Sequence, residues 1–358
     1  MPARSPRPER TRGYLALWAA TAVFATTAIF IRHLTERYGI PAGVLSFWRA
    51  VFLCGSLAPL LALSRPLLLV PRRRDLAFLA AQGSVIAIFN LLWTTSVARC
   101  GAALATVLVY SSCAFTALLG FFFLGERLSR LGLLAVGLCL AGSALVSGVT
   151  GGPLRADAAG VATGLLSGLA YAVYSVLGRA AARRGQNPWT TLLHAFAVSA
   201  LLQILVLWAG PFLVPAAPGP EDLFWLGRSA HGWLVLLCLS AGPTLLGFGL
   251  LNVSLRFVKS GEASLVLSLE PALTALIAYA LLGERMTATE LAGSAVILSG
   301  IVVLNLGERR AAAPSPGGAH LAGRESAAHR SAAHPAKNAN PPSGVTAPNA
   351  RIPVHPRA

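Results

Sequence analysis

Ala114-Phe115-Thr116-Ala117-Leu118-Leu119 leads into Leu124-Gly125-Glu126-Arg127, and 158 positions later Ala272-Leu273-Thr274-Ala275-Leu276-Ile277 leads into Leu282-Gly283-Glu284-Arg285. Past the charged turn the register still holds, with Gly142 opposite Gly300. A tetrapeptide recurs by chance. A gap-free match through an apolar run, a charged turn and a second apolar run does not. The chain reads as an internal duplication, and what is duplicated is apolar.

Hydrophobic residues make up 55% of the chain and charged residues 12%, where an ordinary soluble domain is about a quarter charged. So few charges cannot cover a soluble protein of this length. A helix crosses a bilayer with about 20 apolar residues. Ten such runs occur, near 14–31, 41–64, 76–98, 101–124, 131–149, 158–178, 189–214, 231–252, 261–282 and 287–306. Their continuity excludes a membrane barrel, whose strands alternate in polarity over about 10 residues. The predicted class is an all-α polytopic membrane protein of ten transmembrane helices. Arg4, Arg7, Arg10 and Arg12 ahead of the first run resemble the start of a signal peptide. That run is longer than a typical signal core and nine more follow it, so it is read as the first span.

Charge sets the orientation. With the amino terminus in the cytoplasm, Arg65, Arg72, Arg73, Arg74, Arg127, Arg130, Arg179, Arg183, Arg184, Arg256 and Lys259 fall in inner loops. The outer loops hold only Arg32, Arg37, Arg99, Arg155, Arg228 and Arg285. This positive-inside bias places both termini in the cytoplasm and the chain in the plasma (inner) membrane. It also accounts for the net charge of +16. No aromatic-plus-basic stripe accompanies the charge, so nucleic acid is not an expected partner, whereas membrane lipid is. Residues 1–13 read as a cytoplasmic segment. Residues 307–358, rich in Ala, Pro, Ser, His and Asn without apolar period, read as a disordered cytoplasmic tail.

The first repeat spans 14–149 and the second 158–306, joined through Thr150-Gly151-Gly152-Pro153. Arg32 and Pro41 find counterparts in Arg179 and Pro188, both 147 positions on. Each unit holds five spans, an odd number, so the second must enter the membrane from the opposite side. Two inverted five-helix repeats enclose a site near the midplane and have two equivalent packings, one open to each side. That architecture favours a carrier of a small-molecule substrate.

An apolar helix ending in Leu-Gly-Glu-Arg and followed by a Gly-containing helix, twice over, resembles the EamA repeat of the drug/metabolite transporter superfamily. Arg49 in the second span and Glu270-Pro271 in the ninth also match. The resemblance covers about 14–306. It implies a secondary carrier exporting a small organic solute, whether amino acid, other metabolite or drug-like compound, and leaves the substrate open. One departure stands out: the first repeat has Ser112-Cys113 where the second has Glu270-Pro271. Proton chemistry at that carboxylate would be one-sided.

Glu270 lies nine residues into its span, roughly 13 Å from the helix start at about 1.5 Å per residue. A carboxylate near the bilayer centre costs about 2.5 kcal/mol or more unless it meets water, a partner or a proton. Pro271 removes a backbone donor and frees a carbonyl near 267. Glu270 is therefore the candidate proton site, against a packing role in protonated form. Arg49 must pair, snorkel or line a wet cavity. Tyr110, Asn90, Tyr171 and Tyr174 supply polar groups suited to a mostly apolar pocket, with Trp18 and Trp93 nearby in kind. His194 lies near the position corresponding to Arg49 in the second repeat and is a further candidate for the site. Core packing is the competing reading for each of these residues.

Gly160, Gly164 and Gly168 form a small-residue ladder on one face of the sixth span, for contact within the chain or between two copies in a homodimer. Pro243, beside Gly242, marks the eighth span as irregular, and Pro271 the ninth. Glu126-Arg127 and Glu284-Arg285 read as hydrated punctuation, each carboxylate capping the helix that follows it. The five cysteines have no metal-ligand spacing, so no metal is expected. His-Glu-x-x-His, Gly-x-Ser-x-Gly and a phosphate loop are all missing from the sequence. The chain is thus not expected to be an enzyme or to need a cofactor, and uphill movement would draw on an ion gradient or exchange. Proton-coupled export is the leading reading. A facilitator or exchanger without ion coupling is the first alternative. A membrane enzyme on a lipid-linked substrate is the second, and would need a polar cluster at one membrane face.

Overall fold

The computed structural model describes residues 7–124, 130–146, 157–213, 218–254, 257–258, 263 and 266–312. Within these the chain is helical, without strands. The helices are α1 (Arg7–Ala25), α2 (Thr27–Tyr38), α3 (Ala42–Ser64), α4 (Leu76–Cys100), α5 (Ala102–Val109), α6 (Ser112–Leu124) and α7 (Arg130–Val146). They continue as α8 (Ala158–Arg183), α9 (Pro188–Leu213), α10 (Ala230–Leu239), α11 (Gly247–Ser254), α12 (Glu270–Leu282) and α13 (Ala288–Ala312). A π-helical segment, Ser240–Leu246, links α10 to α11.

Among the described residues six helices are long and apolar enough to cross a membrane: Thr11–Tyr38, Ala42–Ser64, Arg73–Cys100, Ala158–Gly178, Pro188–Phe212 and Ala230–Ser254. Shorter apolar helices occur at Ala102–Thr116, Arg130–Cys139, Glu270–Leu282 and Ala288–Val303. Large apolar side chains such as Leu63, Trp208, Phe212 and Leu281 point outward. A multi-pass membrane protein turns such a surface to lipid; in water it would aggregate.

Local chemistry places the helix ends. Gly39 and Gly283 take left-handed conformations and stop α2 and α12. Asp157 caps α8 by accepting from the Ala159 amide, and Thr287 and Glu290 cap α13 reciprocally. The Asp157 carboxyl is held below the usual carboxylate range, chiefly by its hydrogen bond from Arg99. The boundaries differ from expectation at both ends of the helical region. Helix α1 starts at Arg7, with Pro8 tolerated in its first turn, and α13 runs on to Ala312 rather than ending at 306.

Glu284 departs more instructively. Its carboxylate accepts from the amides of Ala102 at 2.9 Å and Ala103 at 3.2 Å, so it caps α5, a distant helix, and not the one that follows it. Arg32 lies 3.4 Å from the same carboxylate and donates to the Ala98 carbonyl at the end of α4. Gly101, between α4 and α5, has φ +88°, and a Cβ there would sit 2.9 Å from Glu284 Oε1. Only glycine satisfies both the backbone and the approach.

Elements recur at one offset. The turn Tyr110–Ser111 followed by α6 (Ser112–Leu124) matches the turn Ser268–Leu269 followed by α12 (Glu270–Leu282), and α7 and α13 begin at Arg130 and Ala288, all 158 positions apart. The packing of α7 on α13 is reciprocal at the same offset. A Cβ on Gly142 would meet the Gly293 carbonyl and Ile297, and one on Gly300 would meet the Ala135 carbonyl and Cys139.

Helix α8 packs on α4 and α5, and α9 on α3 and α4. Lipid is as apolar as leucine, so close fit and small residues, more than burial, hold membrane helices together. The glycine ladder is such a fit. A Cβ on Gly160 would collide with Cys100 Sγ, and Cβ atoms on Gly164 and Gly168 would lie 2.7 Å from Ser96 Oγ and 2.6 Å from Ser111 Oγ. The ladder's contact is thus within the chain. The link at 150–153, Glu126-Arg127, Arg256, Lys259 and the segment 313–358 lie outside the described residues.

Candidate functional site

Four interruptions of the helical run surround one cavity. Helix α1 gives way to α2 at Thr26, α5 to α6 at Tyr110–Ser111, and α10 to α11 through the π segment, while the chain turns at Ser268–Leu269 before α12. The cavity, about 260 Å³, is lined from these breaks by Phe24, Thr27, Tyr110, Ser112, Pro243, Thr244, Ser268 and Glu270. Arg49, Trp93 and Tyr171 reach it from continuous helices.

Near each proline in this region a hydroxyl meets a backbone carbonyl. Pro243 deprives the Leu239 carbonyl of its usual donor, and Thr244 Oγ1 donates to it at 3.3 Å. Pro271 stands in the first turn of α12, where a missing amide costs no helical bond, and the Leu267 carbonyl before the break lies 2.9 Å from the Tyr110 hydroxyl. The same hydroxyl lies 2.8 Å from Glu270 Oε2. Glu270 therefore stands at the first position of a helix after a break, not within a kinked one. There its carboxyl group lies at the positive end of the helix dipole.

Arg49 is 6% exposed. Its Nη2 donates to Thr244 Oγ1 at 3.5 Å, its guanidinium carbon lies 5.3 Å from the centre of the Trp93 ring, and Nε and Nη1 have no hydrogen-bond partner. Trp93 stacks on Phe89 at 5.9 Å and 10°, Phe89 packs against Tyr171, and Phe24 meets Phe248 edge-on at 5.4 Å. The arrangement is an aromatic box with a cation and a carboxyl in its walls.

Of the residues singled out in the sequence, Arg49, Tyr110, Tyr171, Glu270 and Pro243 line this cavity. Pro271 is buried in the first turn of α12 beside it. Asn90, Tyr174 and His194 do not line it. Asn90 is fully buried in α4 with both amide atoms unpartnered, Tyr174 packs on Tyr171, and His194 Nδ1 donates to the Thr190 carbonyl one turn back. Thr244, Thr27 and Ser268 were not anticipated. Thr244 carried a signal in its place directly after Pro243, where a hydroxyl can serve the freed carbonyl. Ser112 and Cys113, the departure from the second repeat's Glu270-Pro271, line the same cavity as Glu270.

The model of the EamA-like transporter family matches residues 11–148 and again 158–306. A protein of Archaeoglobus fulgidus named as a transporter is 29% identical over 222 residues, covering 61% of this chain and 74% of its own length. A protein of Streptantibioticus cattleyicolor named a probable terminal-alkyne amino-acid exporter is 39% identical over 75 residues, 20% of this chain and 24% of that one. A solved crystal structure superposes with TM-score 0.53 at 19% identity, covering 84% of this chain and 99% of its own, and shares the fold.

Proposed function

The chain belongs to the EamA-like transporter family, and from that premise we propose that it is a secondary carrier exporting a small organic solute across the inner membrane, coupled to protons, with Glu270 as the proton site. Ten spans in two inverted halves, residues 14–149 and 158–306, alternate the cavity between the two membrane faces. Both termini lie in the cytoplasm.

The observation that carries this reading is the cavity's composition. Arg49, Trp93 and Tyr110 belong to the first matched stretch, and Thr244 and Glu270 to the second. Interrupted helices meeting at the interface of two repeats are the arrangement in which carriers hold their substrates. The common offset of 158 and the reciprocal α7–α13 contact support two halves related by a two-fold axis. The name of the Streptantibioticus cattleyicolor relative supports an exported solute of metabolite size. The positive-inside charge pattern supports the orientation.

Hydrogen counting at Tyr110 supports the proton site. Its hydroxyl has one hydrogen and faces two acceptors, Leu267 O and Glu270 Oε2. With Glu270 as a carboxylic acid, the acid donates to Tyr110 and Tyr110 donates to Leu267, so each contact has its hydrogen. With Glu270 ionised, the one hydrogen goes to the carboxylate, the stronger acceptor, and the Leu267 carbonyl is released. Gain and loss of a proton thus change what holds the break before α12. That is the proposed link between proton movement and the exchange of packings.

Purified protein in sealed vesicles, given a panel of radiolabelled amino acids and carboxylic metabolites with and without an imposed pH gradient, tests the reading. Solute accumulation that requires the gradient is expected. Equal downhill flux in both conditions would make the protein a facilitator, and no flux of any solute in the panel would count against the carrier.

A further inference from the structure

We propose that the solute is anchored by a carboxylate received by Arg49, so that the cavity takes a compact carboxylic acid with an apolar body, amino acids among them. The proposal rests on the carrier reading and names its substrate class.

Arg49 carries an unbalanced charge. Arg49 is permanently cationic and 6% exposed, and among the described residues no carboxylate pairs with it. Glu270, the acid in the same cavity wall, is held by Tyr110 instead. A buried charge without a counter-charge is strongly disfavoured. Thr244 offers only a hydroxyl at the limit of hydrogen bonding, and Trp93 only a ring face. Nε and Nη1 are left without acceptors. The guanidinium fork matches a carboxylate in a bidentate pair, and a turn of the Arg49 tip from Trp93 toward the cavity presents it. A doubly charged phosphate would ask for more cationic donors than this single arginine.

The rest of the cavity describes the rest of the ligand. Phe24, Phe89, Val109, Phe248 and Leu251 accept an apolar body. At about 260 Å³ the space lies just under the roughly 300–1,000 Å³ of pockets for drug-sized ligands, which favours a metabolite.

The test uses three probes that share one phenethyl body: 3-phenylpropionate with the carboxylate alone, phenethylamine with the ammonium alone, and phenylalanine with both. Thermal unfolding of the purified full-length protein in detergent reads binding. The two acids are expected to raise the unfolding midpoint and the amine is not. Arg49→Lys, which keeps the charge and loses the fork, should weaken the acids' apparent affinity by about tenfold or more. Arg49→Gln, with the cavity empty, should unfold at or above the parent's temperature, because an uncompensated charge has been removed. Stabilisation by phenethylamine equal to that by 3-phenylpropionate, no stabilisation by either acid, or a lowered midpoint for empty Arg49→Gln would overturn the proposal. Acid binding without flux in vesicles would sink the carrier reading and leave this one standing; flux without acid binding would do the reverse.

Discussion

Replacing Gly164 by Ala adds one methyl group in the middle of the close-packed glycine ladder, and its cost can be separated from every other effect of the change. The new Cβ would lie 2.7 Å from Ser96 Oγ and 2.8 Å from Leu108 Cδ1. Ser96 cannot retreat freely, since its hydroxyl donates to the Gly160 carbonyl at 2.9 Å, one turn along the same helix. Overpacking of this kind costs about 1–3 kcal/mol, while exchanging glycine for alanine in a helix returns about 1 kcal/mol. Gly178, in the same helix, supplies the control: a Cβ there meets nothing within 4 Å, so Gly178→Ala carries the propensity gain alone. The two variants should therefore differ by the contact term, about 1–3 kcal/mol. At roughly 2–4 °C per kcal/mol, thermal unfolding in detergent resolves that difference. Gly164→Ala as stable as Gly178→Ala would refute the close approach of α8 to α4 and α5.

Two further substitutions and one control probe the polar joints. Tyr110→Phe removes the one hydrogen shared between Leu267 and Glu270; stability should fall by about 1–3 kcal/mol, and gradient-driven accumulation should fall further than solute exchange when both are measured in vesicles. Glu284→Ala uncaps α5 and releases Arg32, which should cost about 1.5–3 kcal/mol because these bonds involve an ionised group. Glu36→Ala, at a side chain 47% exposed and paired with Arg32, should cost about 1 kcal/mol or less; equal losses for Glu284→Ala and Glu36→Ala would contradict the capping role.

The duplication was legible in the sequence because it is written linearly: the LGER pairs and glycines keep one offset, and the helices at 112–124 and 270–282 keep it too. Arg49 and Glu270 were legible as well, since an ionisable group inside a span demands a cavity or a partner. Other features escaped for physical reasons. Spans apolar on all sides give no periodicity from which to read a face, so Asn90 and Tyr174 could not be told from Tyr110 and Tyr171. The break at Tyr110–Ser111 contains no proline and has meaning only beside its counterpart at Ser268–Leu269. Glu284 was assigned to the neighbouring helix because a cap supplied from another part of the fold leaves no local signature. His194 was raised by its chemistry, yet its ring is occupied by the Thr190 carbonyl.

The central claim is that a proton moving on and off Glu270 drives solute movement through this cavity. Glu270→Gln preserves the size and the hydrogen bonding of the side chain toward Tyr110 and removes the titration. Its direct test compares parent and variant in sealed vesicles, reading accumulation under an imposed pH gradient and, separately, exchange of internal for external solute at equal pH. The account predicts a correctly inserted variant that exchanges solute but no longer accumulates it against its gradient. Accumulation at the parent's level would contradict it, placing the proton site elsewhere and leaving Glu270 a structural partner of Tyr110.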